Sequence, residues 1–315
     1  MRILVTGASG YIGGQVCKLL TQQGHQVIAN DRRRVRHNYY HQKEINNYAN
    51  IPVGVLASMD AVVHTAATSL VGPSVMNPAE YYQNNVGGTL DLLDNCVKAG
   101  MHTFVFASSA GVYGEPSEDV CHENMDAQPC SPYGWSKKMI EIVLQDYYTA
   151  YNLNSVSLRF FNVAGADSDG EMGQEKAATH IIARVMESAI AEETFTFYGN
   201  NYPTPDGTCI RDYIHVEDIA SGINCSLDFL QDNTGAHIFN LGSGQGNSNK
   251  EIVDAVALQT PLMVKTAFTE ARAGDPAILV ADTQNAEKVL GWDRKFDSLE
   301  QIITSSALWH EKFLD

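Results

Sequence analysis

No run of this sequence approaches the roughly 20 consecutive apolar residues that a membrane-spanning helix needs, so no membrane role is expected. The opening Met1-Arg2-Ile3-Leu4-Val5-Thr6-Gly7 has too short an apolar stretch for a secretory signal and runs straight into glycines. Cysteine is sparse and unpatterned. The six at positions 17, 96, 121, 130, 209 and 225 contain no Cys-x-x-Cys pair and no zinc-like spacing. They read as reduced thiols of a cytoplasmic protein, since a chain of 315 residues does not need disulfides to hold a core. The histidines show no ligand spacing either, so no metal is expected. Basic residues are few, 21 against 37 acidic, and the formal charge of −16 would repel a nucleic-acid backbone. A small phosphorylated ligand stays compatible with that charge if a few arginines gather locally. Internal repeats and long linkers are absent from the sequence.

What is present is enough apolar sequence, 44% hydrophobic against 18% charged, to bury a real core in one large domain or two small ones. The first half alternates strand and helix. Arg2–Thr6, Gln26–Asn30, Ala61–His64, Thr103–Ala107 and Ser155–Phe161 are short β-branched or aromatic runs ending at turn residues. Between them, Tyr11–Gln23, Ala79–Ala99 and Tyr133–Tyr151 carry helical patterns. Such alternation predicts right-handed βαβ units and an α/β fold of the Rossmann type, a doubly wound parallel sheet with helices on both faces. After about residue 165 the elements shorten and Gly, Asp and Pro cluster, which predicts a smaller α+β C-terminal domain. The expected division is 1–165 for a dinucleotide-binding domain and 166–315 for a substrate domain, with Ala236–Leu241 returning to the first sheet. In a sheet of this kind the ligand lies beyond the carboxyl ends of the strands, here Gly7, Asp31, Ala66, Ser108 and Asn162.

Gly7-Ala8-Ser9-Gly10-Tyr11-Ile12-Gly13 follows one predicted strand and opens a helix. Glycines there let the backbone turn tightly and approach a pyrophosphate, which sits at the positive end of the helix. Asp31 ends the next strand, where a carboxylate accepts the adenosine ribose hydroxyls and repels a 2′-phosphate. Arg32, Arg33, Arg34 and Arg36 crowd beside it, either as a solvated face or as a 2′-phosphate site; Asp31 favours NAD over NADP. Further on, Tyr133 and Lys137 stand at i and i+4 on one helix face. An ammonium nearby would lower the tyrosine pKa from its usual value near 10 and make it an acid or base near neutral pH. Ser109, at the end of a central strand, can share the substrate proton.

Taken with Ser108–Gly114, Ser131–Lys137, Arg159–Gly165, Tyr202–His215 and Arg272–Pro276, these residues identify a resemblance over nearly the whole chain. The sequence resembles the extended short-chain dehydrogenase/reductase superfamily, and within it the family of UDP-glucose (UDP-galactose) 4-epimerases. The resemblance implies an isomerase with tightly held NAD that interconverts UDP-glucose and UDP-galactose through a transient 4-ketose. Ser109, Tyr133 and Lys137 would be catalytic. Gly7, Gly10, Tyr11, Ile12, Gly13, Asp31, Glu44, Ile45, Ala66, Ala67, Asn84, Ser108 and Phe161 would contact the cofactor together with Tyr133 and Lys137. Asn162, His180, Ile181, Thr196, Tyr198, Arg211, Arg272, Asp275 and Leu279 would hold the UDP-hexose with Ser109 and Tyr133.

The chain departs from the family pattern in three places. Ser69 stands where a lysine is frequent, Glu44-Ile45 replaces an Asp-Ile pair after a shortened segment, and Leu279 falls where some members carry a larger tyrosine that limits the sugar C2 substituent. The third departure leaves room for an N-acetylhexosamine. UDP-glucuronate and UDP-pentoses remain alternative substrates. A 4,6-dehydratase is disfavoured, because Ala110-Gly111 follows Ser109 where those enzymes carry an Asp-Glu pair. A cofactor-binding module without catalysis is disfavoured by the intact Ser109, Tyr133 and Lys137. Finally, Met139, Ile140, Val143, Leu144, Tyr147, Tyr148 and Tyr151 cover more than the one apolar face a sheet-packed helix requires. The surplus predicts a homodimer built on this helix and Ala79–Ala99.

Overall fold

Seven parallel strands make the main sheet, and their apolar runs are buried on both faces as a doubly covered sheet demands. The structure is a computed structural model that describes residues 1–33, 41–42, 47–175, 177–272 and 275–313. In chain order the strands are β1 Arg2–Thr6, β2 Gln26–Asn30, β3 His41–Gln42, β4 Ala61–His64, β5 Thr103–Ser109, β6 Val120–Cys121 and β7 Asn154–Phe160. They continue as β8 Asn162–Ala164, β9 Thr194–Tyr198, β10 Ile210–His215, β11 Ala236–Leu241, β12 Gly246–Ser248, β13 Lys265–Thr269 and β14 Ile278–Ala281. The longer helices are α1 Tyr11–Gln22, α2 Gly88–Lys98, α3 Pro132–Tyr151, α4 Ile181–Ile190, α5 Val216–Asp232, α6 Asn249–Gln259 and α7 Leu299–His310.

The main sheet runs β11-β7-β5-β4-β1-β2-β3. Period-2 alternation sorts its residues between two cores. Ile3, Val5, Val105 and Ala107 face α1 and α5, meeting Val16, Leu20, Ile219 and Ile223. Leu4, Phe104 and Phe106 face the other way, meeting Leu92 and Leu93 of α2 and Ile140 and Leu144 of α3. Strand β11, Ala236–Leu241, lies in this sheet, pairing in parallel with β7 from Ala236↔Ser155 to Leu241↔Phe160.

The second lobe has a sheet ordered β12-β10-β14-β6, with β8 also on β10, and a separate β13-β9 pair. Its core gathers Ile182, Val185 and Met186 of α4, Phe195 and Phe197 of β9, Ile252 and Val256 of α6, and Ile302 and Ile303 of α7. The chain leaves the main sheet at Phe160 and enters the second at Asn162, so one residue separates the two sheets.

Several ends differ by one residue from the sequence reading, and two differences are larger. Strand β5 runs on to Ser109, because Ser108 and Ser109 pair with Arg159 and Phe160 of β7. The pattern over Ala79–Ala99 is not one α-helix. A short turn at Pro78–Tyr81 leads into a π-helical stretch, Tyr82–Gly87, before α2 begins. Side-chain periodicity registers apolar faces and is nearly blind to one extra residue per turn.

Candidate active site

The carboxyl ends of β1, β2, β4, β5 and β7 converge on one edge of the main sheet. At the end of β1, Gly7 adopts φ +73°, and a Cβ on Gly13 would lie 2.1 Å from the Gly7 carbonyl oxygen and 2.8 Å from Thr65 Oγ1. Strand, loop and helix therefore approach closer than any side chain allows, which leaves the backbone of 7–13 open to a pyrophosphate at the start of α1. This cradle fits a dinucleotide. Asp31 accepts from Ser9 N (2.9 Å) and from Arg33 N (2.8 Å). Arg33 donates to the Ser9 carbonyl (2.9 Å) and pairs with Glu175 (3.5 Å), so it braces the loop. Arg34 and Arg36 lie outside the described residues, as do Glu44 and Ile45.

Tyr11 donates from its hydroxyl to Gly165 O at 2.6 Å, tying the glycine loop to the start of the second lobe. Ala66 and Ala67 are half-buried after β4, with the Ala66 amide directed at Thr6 Oγ1 (3.4 Å). Asn84 lies in the π-helical stretch and donates to Thr68 Oγ1 at 3.2 Å. Its neighbour Asn85, which sequence reasoning passed over, binds Thr68 N and O (2.8 and 2.9 Å) and Ser136 Oγ (3.0 Å). It thus joins the loop after β4 to the helix carrying Tyr133. Doubled asparagines inside a helical pattern were the available signal.

Helix α3 starts where Ser131 caps it, accepting from Gly134 N at 3.1 Å with Pro132 in the first turn. That start places Tyr133 half-buried beside Ser109, whose Oγ accepts from Gly111 N at 3.1 Å. Lys137, one turn on, is buried and donates to Ala107 O at 2.7 Å, with its nitrogen 5.9 Å from the Tyr133 ring centre. The electrostatics reverse one sequence expectation. Burial pushes the Tyr133 phenol above its ordinary value, opposed by a hydrogen bond with Ser109. Burial also lowers Lys137 to about 7, opposed by the Glu141 carboxylate. Desolvation is the largest cause of both shifts, and neither residue is among the causes of the other's shift. Ser108 turns its hydroxyl away to Glu141 Oε1 (2.6 Å).

On the second-lobe side, Phe161 is buried and Asn162 begins β8, facing Tyr213 of β10 in register. Arg211 donates to Asp275 Oδ1 at 2.8 Å and lies in register with Leu279 of β14. Leu279 packs on the cluster that contains Ala110, Tyr113 and Phe161. Thr196 and Tyr198 share a face of β9, and the Arg272 guanidinium carbon sits 3.8 Å from the Tyr198 ring centre. A hydrogen bond with Arg272 holds the Tyr198 phenol below its ordinary value against burial. His180 stands at the start of α4, bonded to Gln174 and 6.1 Å from the Tyr11 ring, with Ile181 following it. These groups supply guanidinium forks and an aromatic face, the recognition chemistry of a diphosphate and a flat base.

Among the described residues one acidic group has metal-like closeness, Asp167, Asp169 and Glu171. The Lys18 ammonium sits among them at 2.5, 2.9 and 3.3 Å. No described helix is long and apolar enough to cross a membrane.

Residues 3–242 match the model of the NAD dependent epimerase/dehydratase family. A UDP-glucose 4-epimerase of Halalkalibacterium halodurans is 38% identical, over 99% of this chain and 96% of its own. Among solved structures, a UDP-glucose 4-epimerase from Brucella ovis in complex with NAD is 37% identical with TM-score 0.92, covering 98% of each chain. One from Bifidobacterium longum in complex with NAD+ and UDP is 32% identical, also at TM-score 0.92, covering 99% of this chain and 98% of its own.

Proposed function

The chain belongs to the NAD dependent epimerase/dehydratase family, and on that premise we propose that it is an NAD-dependent isomerase interconverting UDP-glucose and UDP-galactose at C4 of the hexose. The observation that carries this is the convergence of Ser109, Tyr133 and Lys137 beside a glycine cradle that admits no side chain at Gly13. Bound NAD supplies a hydride acceptor and donor beside the sugar.

The residues divide the work. Backbone amides of 7–13 and the start of α1 hold the pyrophosphate, Asp31 the adenosine ribose, and Ala66, Ala67, Asn84, Phe161 and Lys137 the rest of the cofactor. Tyr133 would take the proton of the sugar 4-hydroxyl through the Ser109 hydroxyl, and would return it to the 4-keto oxygen once the ketose presents its opposite face for hydride return to C4. Arg211 and Arg272 neutralise the diphosphate. Asn162, His180, Ile181, Thr196, Tyr198, Asp275 and Leu279 frame the uridine and the sugar. The division of labour is taken as 1–165 for the dinucleotide and 166–315 for the UDP-sugar, with α5 and β11 returning to the main sheet and β6 and β8 crossing to the second.

The working form is a homodimer in the cytoplasm. Trp135, Met139 and Ile142, at i, i+4 and i+7 on α3, are 42%, 38% and 52% exposed and supply a continuous apolar stripe for a second copy. All six cysteines are unpaired, which suits a reducing compartment.

The test is to incubate purified protein with UDP-galactose and no added cofactor, then resolve the products. UDP-glucose is the expected product. Absence of product from protein that releases NAD on denaturation would move the assignment to another nucleotide sugar.

A further inference from the structure

Beneath Ser109 and Lys137 lies a buried ionic network that the reaction scheme leaves unused. Glu141 stands on α3 one turn past Lys137, and Arg159 faces it from β7, each side chain 1% exposed. Arg159 grips both carboxylate oxygens, Nε to Oε1 at 3.0 Å and Nη2 to Oε2 at 2.8 Å. Ser108, the register partner of Arg159 on β5, donates to the same Oε1 at 2.6 Å. The remaining Arg159 nitrogen donates to the Tyr113 hydroxyl (3.0 Å), which donates to Asn240 of β11 (2.7 Å).

Burying a carboxylate and a guanidinium costs several kcal/mol per ion, and apolar side chains of similar volume commonly hold a helix to a sheet as well. Adhesion is therefore a poor reason for this pair. A bidentate fork differs in fixing distance and angle together. It also fastens three elements at once: β5, which ends at Ser109; β7, which leads into Phe161; and α3, which carries Tyr133 and Lys137.

We propose that Glu141, clamped by Arg159, is a positioning residue of the epimerase reaction, setting Ser108-Ser109 against the helical turn that bears Tyr133 and Lys137. This rests on the function proposed above. The Glu141 carboxylate is engaged by Arg159 and Ser108, so it acts through Ser108 and the helix. Misplacing a reacting group by about 1 Å can cost on the order of a hundredfold in rate.

Three variants test it: Ser108→Ala, Glu141→Gln and the apolar double replacement Glu141→Leu/Arg159→Met. For each, kcat and KM with UDP-galactose, NAD retained per chain and the urea midpoint are measured beside the unaltered protein. Ser108→Ala leaves the ion pair in place and is expected to lower kcat roughly tenfold, with KM within about twofold and NAD content unchanged. Glu141→Gln is expected to lose more kcat along with some stability. The double replacement is expected to recover the urea midpoint but not kcat, a split that a merely structural role would not produce. Ser108→Ala turning over within twofold of the unaltered protein overturns the proposal, whether or not the other variants fold. So does recovery of kcat together with stability in the double replacement. An unaltered protein that retains NAD but does not epimerise would bring down the functional reading itself, and the positioning role with it.

Discussion

The Lys137 ammonium nitrogen lies 2.7 Å from the carbonyl oxygen of Ala107, so helix α3 is fastened by this lysine to the strand that ends at Ser109. The residue expected to tune Tyr133 is itself desolvated and lowered to about 7, and Tyr133 is raised. Taking the proton of the sugar hydroxyl requires the phenolate, the form that burial of Tyr133 disfavours. Replacing Tyr133 by Phe is expected to cut kcat by roughly 10²–10⁴ while leaving bound NAD in place. Activity unchanged in Tyr133→Phe, assayed with UDP-galactose, would return the chain to the status of a cofactor-binding module.

The glycine cradle makes its own prediction. A methyl group at position 13 would meet the Gly7 carbonyl at 2.1 Å, and neither backbone segment can withdraw without breaking the turn. Overpacking of this kind costs about 1–3 kcal/mol. Gly13→Ala is expected to purify with far less NAD than the unaltered protein, measured by absorbance after denaturation. Equal NAD content would remove the loop from the cofactor site.

Stability toward acid depends on a buried histidine. His64 is held between Thr6 Oγ1 (2.7 Å) and Thr89 Oγ1 (3.0 Å). Burial first, and the Lys137 charge second, lower its pKa from 6.5 to about 3. Between those values the unfolded chain binds the extra proton. The stability contributed by neutral His64 is thus complete above pH 6.5 and lost as pH falls toward 3. His215, lowered by burial to about 3, acts in the same direction; Asp218, raised by burial from 3.8 to about 6, acts oppositely. The difference between the unaltered protein and His64→Gln isolates one group. Around pH 5 its unfolding free energy is expected to change with pH more steeply in the unaltered protein, by about 1.4 kcal/mol per unit, one proton. Parallel slopes in urea titrations would show that His64 titrates normally.

Leu279 lies in register with Arg211 and packs against the cluster that contains Phe161. A side chain smaller than tyrosine there leaves room for a C2 acetamido group. UDP-N-acetylglucosamine is expected to be turned over by the unaltered protein, and Leu279→Tyr to lose that substrate while keeping UDP-galactose. Absence of turnover at high enzyme concentration would end the idea.

The exposed stripe on α3 predicts association. Trp135→Glu puts a charge at one end of the stripe of Trp135, Met139 and Ile142, and is expected to shift sedimentation from dimer to monomer at micromolar concentration. If the unaltered protein already sediments as a monomer, the stripe has another purpose.

Much of this architecture was legible in the chain because the signals are local. Period-2 runs such as Thr103–Ala107, glycines spaced as at 7, 10 and 13, and a Tyr133–Lys137 pair on one helix face depend on neighbours within a few residues. Those determine strands, turn and helix, and the order of strands and helices then restricts the fold to a parallel sheet with its site at the strand ends. Three things were decided only in three dimensions. The Asn85 bonds to Thr68 and Ser136, with the π-helical turn that carries it, join segments 17 and 51 residues apart. The Glu141–Arg159 clamp joins β7 to α3 across the sheet, and nothing in the surroundings of either residue in the chain announces its partner. The direction of the Tyr133 and Lys137 shifts depends on how much water the folded site excludes. Spacing can bring two charges near each other, but only packing around them decides whether attraction or desolvation prevails.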